Sequence, residues 1–289
     1  MWRILVWDPA YALESPPLEG EVQAPWRPLE EPWAPIRGQE TAWPPLYFVD
    51  GRERVDALLS DGRRLVLLGS LAVGAVVWRE GRMALAEVRV ERYAVGSEEG
   101  FCFGALDYRP LPLEGAADPQ ALLKRLQEER ARLEAALAQG LGEGVVVVDG
   151  PLRVDRPQSL GYIKAHWARY LPEEAQGLLA LLGPGERTPA FLLPRRGREV
   201  ASWYLRLPLP GAYPPGAGLL RVEAPLEGFS EMAKLSLSLF PALASHPAKD
   251  PRAPQNLLPV GGLERELGRR MGSREVVGRK IAQFLGGGM

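Results

Sequence analysis

Leu46-Tyr47-Phe48-Val49-Asp50-Gly51 and Val145-Val146-Val147-Val148-Asp149-Gly150 are two short apolar runs that end in the same dipeptide, 99 residues apart. A β-branched or aromatic run stopped by glycine predicts a buried strand. A carboxylate where such a strand runs out, with a glycine for a sharp exit, is how a rigid sheet presents acidic ligands to a divalent metal. Two such strands predict neighbours in one sheet that aim Asp50 and Asp149 at one ion. The competing structural reading is a pair of turn aspartates, since Asp-Gly is a common turn dipeptide.

Outward from these runs the chain reads as mixed α/β. Ile4-Leu5-Val6 predicts a short strand, and a tryptophan-dotted stretch to residue 45 completes a segment with nine of the 28 prolines. Helix is excluded there, which predicts an extended arm packed across the body or bound to a partner. After the Asp50 strand, Arg64–Leu68, Ala72–Trp78 and Met83–Val95 predict a strand meander. Residues 118–139 predict a helix, with Asp118 as N-cap, Pro119 in the first turn and Gly140 as its stop. Its apolar stripe runs Leu122, Leu126, position 129, Leu133, Leu137, and position 129 is Glu129. A carboxylate on a core-facing stripe is costly unless paired or bound to a cation, so Glu129 is a candidate ligand, whereas Glu128 and Glu134 read as surface charges.

Beyond the Asp149 strand and a loop over 151–158 come Gly161-Tyr162-Ile163-Lys164 and a helix over 172–182. Strands at 189–193, 200–207 and 219–223 follow, then an apolar helix over 231–240 that Pro241 should end. A proline-broken loop over 245–259 and a basic helical segment over 263–284 complete the pattern.

Bulk properties narrow the function. The chain has 289 residues, 46% apolar and 25% charged, ordinary values for a globular protein with ample core. No apolar stretch is long enough for a membrane helix and Met1-Trp2-Arg3 lacks a signal-peptide pattern, so a cytoplasmic protein is expected. The single cysteine, Cys102, excludes an internal disulfide and a cysteine-cluster zinc site. No phosphate loop, dinucleotide fingerprint or nucleophile elbow occurs, which argues against an ATPase, dehydrogenase or hydrolase of those kinds. Arginine supplies 30 of the 35 basic residues and Asn256 is the one asparagine, a bias that suits a thermophile or a GC-rich genome, with codon bias the simpler account. Net charge is −1, but residues 1–50 carry −5 while residues 150–206 and 251–289 carry +4 each. A polyanion would meet particular faces.

Strand with Asp50, meander, helix with Glu129, strand with Asp149 and a basic segment with Lys164 is the order expected of a ribonuclease H-like fold. Carboxylates there hold hard cations, about 3.5–4 Å apart where two are bound, for phosphodiester hydrolysis. Oxygen donors imply Mg²⁺ or Mn²⁺, and two histidines cannot build a histidine-rich zinc site. Lys164 would offset phosphate charge as a point charge. Arg153, Arg156, Arg195 and Arg196 are candidate DNA-backbone contacts, and Tyr162, Trp203 and Tyr204 could stack on bases or lie in the core.

At these residues the chain resembles the NurA-domain nucleases. The matching pieces are Phe48-Val49-Asp50-Gly51, the helix running into Val145 through Leu152, and Gly161-Tyr162-Ile163-Lys164. They are similar to the family's patterns "xVDGS", "E…vvlDGsL" and "iGxxK", with a glutamate about twenty residues before the second aspartate; Glu129 precedes Asp149 by 20. The resemblance runs from about residue 44 to the end, which divides the chain into an arm (1–45) and a nuclease domain (46–289). It implies a metal-dependent DNA nuclease, 5′ to 3′, acting in end resection and double-strand break repair with the HerA hexameric ATPase, and a homodimer. The chain has two departures. Arg52 replaces a serine, and the family's C-terminal Ala-His is absent, so the last ligand is Asn256, Glu264 or Asp250. His166 sits in an Ala-His pair at the wrong place, and His246 reads as a loop residue. That altered region leaves a second reading, a catalytically silent nucleic-acid-binding scaffold. A third is an RNA-directed enzyme of the same fold. Cleavage polarity, strand preference, metal number and the dimer surface are not encoded in any of these motifs.

Overall fold

The computed structural model describes residues 25–38, 41–164, 168–195, 197–208, 218–246 and 253–286. The Ile4–Val6 strand, His166, Arg196 and Asp250 lie outside the described residues. The chain is mixed α/β, with a large mixed sheet flanked by helices. The described residues divide into two compact units: those up to Phe48 with Val77–Met83 and Leu141–Gly261, and those of Val49–Val76 with Ala84–Gly140 and from Gly262.

In the first unit the strand order is β1 (Ile36–Arg37), β9 (Glu186–Arg187), β11 (Arg198–Arg206), β12 (Leu219–Pro225), β8 (Ser159–Ile163) and β7 (Val145–Asp149), with β10 (Phe191–Arg195) also paired to β11. All these pairings are antiparallel except β7 with β8, which run parallel and set Asp149 opposite Tyr162. Val145 to Val148 are all buried, each adding about 1.5–3 kcal/mol of apolar burial. The described part of the proline-rich segment lies along this unit. Leu29 donates to the Ala190 carbonyl at 2.8 Å, and the Glu30 carboxylate accepts from Arg187 at 2.6 and 2.9 Å. Helices α2 (Glu173–Leu181) and α3 (Phe229–Leu243) belong here. Pro241 does not end α3. Standing in the last turn, it removes a single amide donor just where the helix stops anyway.

In the second unit the order is β2 (Leu46–Ser60, from Val49), β3 (Leu65–Arg79), β4 (Arg82–Val95), β6 (Leu106–Leu111) and β5 (Phe101–Phe103). The strand through Asp50 therefore does not stop at Gly51, but continues for nine residues beyond it to Ser60. The two short strands expected over 64–78 are one strand, buried through its middle. Helix α1 (Pro119–Gly140) begins as expected: Asp118 Oδ1 accepts from the amides of Gln120 and Ala121 at 2.8 and 2.9 Å. Asp118→Ala should cost about 1 kcal/mol of stability, read as a lower urea midpoint with an unchanged slope. Leu122 and Leu126 pack on Leu67, Leu71 and Tyr93. The single basic helix expected over 263–284 is two, α4 (Leu258–Arg270) and α5 (Arg274–Gly286). Arg54 and Arg92 donate to the carbonyls of Met271 and Gly272, satisfying the end of α4 where the chain breaks. No described helix is long and apolar enough to cross a membrane.

Candidate functional site

In the first unit, β7 delivers Asp149 half-buried at its end. Gly150 then turns the chain with φ of 106°, a left-handed conformation that favours glycine. Its amide donates to the Tyr162 carbonyl at 2.9 Å. Lys164 follows the parallel partner strand, and its Nζ donates to Asp149 Oδ2 at 2.5 Å and to Asn256 Oδ1 at 3.2 Å. The ammonium lies 5.5 Å from the centre of the Tyr162 ring. The structure thus brings together three residues singled out in the sequence: Asp149, Lys164 and the wholly buried Asn256.

The turn after Asp149 is held on both sides. Leu152 N donates to Glu223 Oε2 at 2.9 Å, and Arg198 donates to the carbonyls of Leu152 and Val154, both at 2.9 Å. Glu223 Oε1 also accepts from Arg221 at 2.5 Å and Arg195 at 2.9 Å. Burial would raise the Glu223 carboxyl, but the Arg221 and Arg195 charges and these hydrogen bonds outweigh it and hold it below its ordinary value. Two physical roles follow from the geometry: a carboxylate aimed outward by β7, and a rigid exit that keeps it aimed.

In the second unit Asp50 lies buried in β2. The glycine that follows makes no turn; it leaves room for a side chain of α1. A Cβ on Gly51 would fall 2.1 Å from Glu134 Oε1, so the α1 carboxylate rests directly on the strand beside Asp50. Arg130 donates to Glu134 and, at 3.3 Å, to the Gly51 carbonyl, and its Nε lies 2.7 Å from Glu53 Oε2. Desolvation would lower the Arg130 guanidinium, but the charges of Glu134, Glu53 and Asp50 overcome it and raise it. Glu134 is therefore no ordinary surface charge, and the sequence reading of it is corrected: it is the α1 carboxylate that meets the Asp50 strand.

Glu129 is buried as its stripe position requires, but its neighbours are cations. Arg132 donates to Glu129 Oε1 at 3.0 and 2.6 Å, and Arg125 lies at 3.5 Å. Burial raises the Glu129 carboxyl less than Arg132, Arg125 and a Tyr93 hydrogen bond lower it, and it stays below its ordinary value. Glu264, half-buried on α4 between the buried Leu263 and Leu267, is the described C-terminal carboxylate among the alternatives raised from sequence.

The aromatic and basic candidates divide. Tyr162, Trp203 and Tyr204 are core residues, at most 1% exposed, so none offers a stacking face; Trp203 and Tyr204 are neighbours in β11 and point to opposite faces of the strand, both of them covered. Arg156 is engaged with the carbonyls of Leu141, Gly142 and Gly144 at 2.6, 2.8 and 3.3 Å, a loop-bracing role. Arg195 binds Glu223 but reaches the surface in part, and Arg153 is exposed.

Residues 44–260 match the model of the NurA domain. The fold is similar to the crystal structure of the NurA nuclease from Sulfolobus solfataricus, with a TM-score of 0.58, 12% identity, and coverage of 89% of this chain and 88% of that one. A comparison with curated proteins finds no match.

Proposed function

Since the chain belongs to the NurA domain family, we propose that it is a metal-dependent DNA nuclease. The observation that carries this reading is the carboxylate of Asp149, held at the end of β7 against Lys164 and Asn256 in the first unit, with Asp50 and Glu264, one oxygen of each within 4.8 Å of the other, in the second. An all-oxygen set of this charge suits a hard divalent cation, Mn²⁺ or Mg²⁺, and does not suit zinc or copper. Such a cation, when bound, polarises a phosphodiester and lowers the pKa of an attacking water.

The side chains around that set have their own tasks. The Lys164 ammonium, already against Asp149, offsets phosphate charge, and Asn256 orients it. Glu134, lying on Gly51, adds negative charge beside Asp50 and fixes the local position of Arg130. In this reading Glu264 takes the part of the family's missing C-terminal histidine, which weighs against the catalytically silent scaffold. Asn256 then acts on Lys164 rather than as a metal ligand.

In this reading the core over 46–289 is a ribonuclease H-like nuclease domain and residues 1–45 are an arm. The enzyme is a cytoplasmic homodimer that cuts a DNA strand 5′ to 3′ during end resection. Unwinding comes from a HerA-type hexameric ATPase, because the chain carries no phosphate loop of its own.

Purified protein is expected to degrade a labelled single strand in Mn²⁺ or Mg²⁺ and to leave it intact in EDTA, with recovery when metal is restored. Cleavage that continues undiminished in EDTA would remove the metal from the reading. An RNA strand offered in competition should be cut less.

A further inference from the structure

A cleft of about 350 Å³ opens beside the turn that follows Asp149, lined by Pro151, Leu152, Arg153, Pro194, Arg195 and Arg198. No carboxylate occurs among these described lining residues. Beneath it, Arg195 and Arg221 share one buried carboxylate, Glu223, so that network holds one more positive charge than negative. The Tyr170 ring faces both guanidinium groups, at 5.3 and 4.5 Å, and softens the excess without cancelling it. Arg198 is held on two backbone carbonyls, which leave its charge intact, and its ion pair with the fully exposed Asp155 is long, at 4.0 Å. Pro151, Pro194 and Leu152 supply apolar wall between the arginines. Cationic groups set in low-dielectric walls focus a positive potential into the opening.

We propose that this cleft holds a phosphate of the DNA strand, one flanking the phosphodiester presented to Asp149. The inference rests on the nuclease reading above and supplies its strand-positioning element. Leu152 follows Asp149 by three residues, at most about 11 Å of chain, which is the reach of a neighbouring nucleotide. Arg195 turns its Nε and Nη2 to Glu223 and Tyr170, leaving the rest of the fork for the cleft. The same Glu223 fastens Leu152, so the phosphate-holding arginine and the turn that aims Asp149 share one rigid support. The site reads backbone charge and is indifferent to base sequence.

The test is binding of a fluorescent single-stranded oligonucleotide, followed by anisotropy in EDTA so that no cleavage intervenes, over a series of salt concentrations. Arg195→Gln and Arg198→Gln are each expected to weaken binding roughly tenfold at low salt. Each should also lower the slope of log K against log salt by about 0.7, one phosphate contact on a single strand. Thermal melting identifies variants that keep the fold, and two separate variants guard against the loss of one. Native-like variants with wild-type affinity and slope would overturn the cleft and leave the nuclease reading standing. Failure of the wild-type protein to bind the strand at all would overturn both.

Discussion

Asp149→Asn is expected to reduce DNA cleavage on the order of 10³-fold or more, a loss of about 4 kcal/mol of transition-state stabilisation at 1.36 kcal/mol per decade. The amide keeps the size of the side chain but removes the charge that a hard cation requires. It also replaces the charged partner of Lys164, whose Nζ donates to Asp149 at 2.5 Å, with a neutral one. Part of the stability cost is limited because Asn256 Oδ1 still accepts from that ammonium at 3.2 Å. On the proposed ligation, Asp50→Asn should produce a loss of similar size. Glu134→Gln should share the loss in smaller measure, because its carboxylate lies against Gly51 next to Asp50. Glu129→Gln should instead lower the melting temperature modestly, because the buried carboxylate loses its charge-assisted bonds to Arg132 and Arg125. Single-turnover cleavage with Mn²⁺, alongside melting curves, separates these outcomes. Well-folded Asp50 and Asp149 variants that retained more than about a tenth of the wild-type rate would remove both residues from the chemistry.

The contrast between Glu129 and Glu134 shows where sequence reading stops. Periodicity located the helix, its Asp118 cap and its buried stripe, because each depends on spacing within one element. It also found that position 129 is buried. What it could not assign was the reason the carboxylate tolerates burial, although Arg125 and Arg132, four before and three after, were a visible sign of ion pairing. Glu134 was missed because its partner is a strand glycine more than eighty positions earlier in the chain, and only the packed structure shows that Gly51 makes room for it. The same contact explains why Asp-Gly was misread as a strand end at residue 50 and read correctly at residue 149. One glycine clears space within an extended strand, whereas the other takes a left-handed turn. Lys164 was singled out by its place in the Gly161-Tyr162-Ile163-Lys164 piece, and the structure supplies a reason for it: β7 and β8 are adjacent parallel strands, so a basic residue just past the second falls beside an acid at the end of the first. Asn256, Glu264 and Asp250 stayed alternatives in the sequence, because no local pattern marks a C-terminal ligand once the histidine is absent.

Glu223→Ala should be the most destabilising substitution of a charged side chain in the first unit, at about 3–5 kcal/mol, the range for removing one member of a buried ion network. The carboxylate is wholly buried and accepts from Arg221, Arg195 and the Leu152 amide, so its loss strands two guanidinium groups and one backbone donor together. Glu223→Gln preserves the volume and one acceptor oxygen and should cost less, since it relieves neither positive charge but leaves Leu152 a partner. The pH dependence gives the sign of the electrostatic part. In the folded protein burial raises the Glu223 carboxyl, but its arginine partners pull it net below the ordinary 4.5 that the unfolded chain would show. Such a group contributes stability that is fully present above that ordinary value and is lost as pH falls through the depressed folded value. Denaturant unfolding of wild type and Glu223→Gln should therefore differ most at neutral pH and converge in acid. Parallel curves with a constant offset down to acid pH would mean that the carboxylate contributes by shape and hydrogen bonding alone, and that the arginines it faces are stabilised by something else.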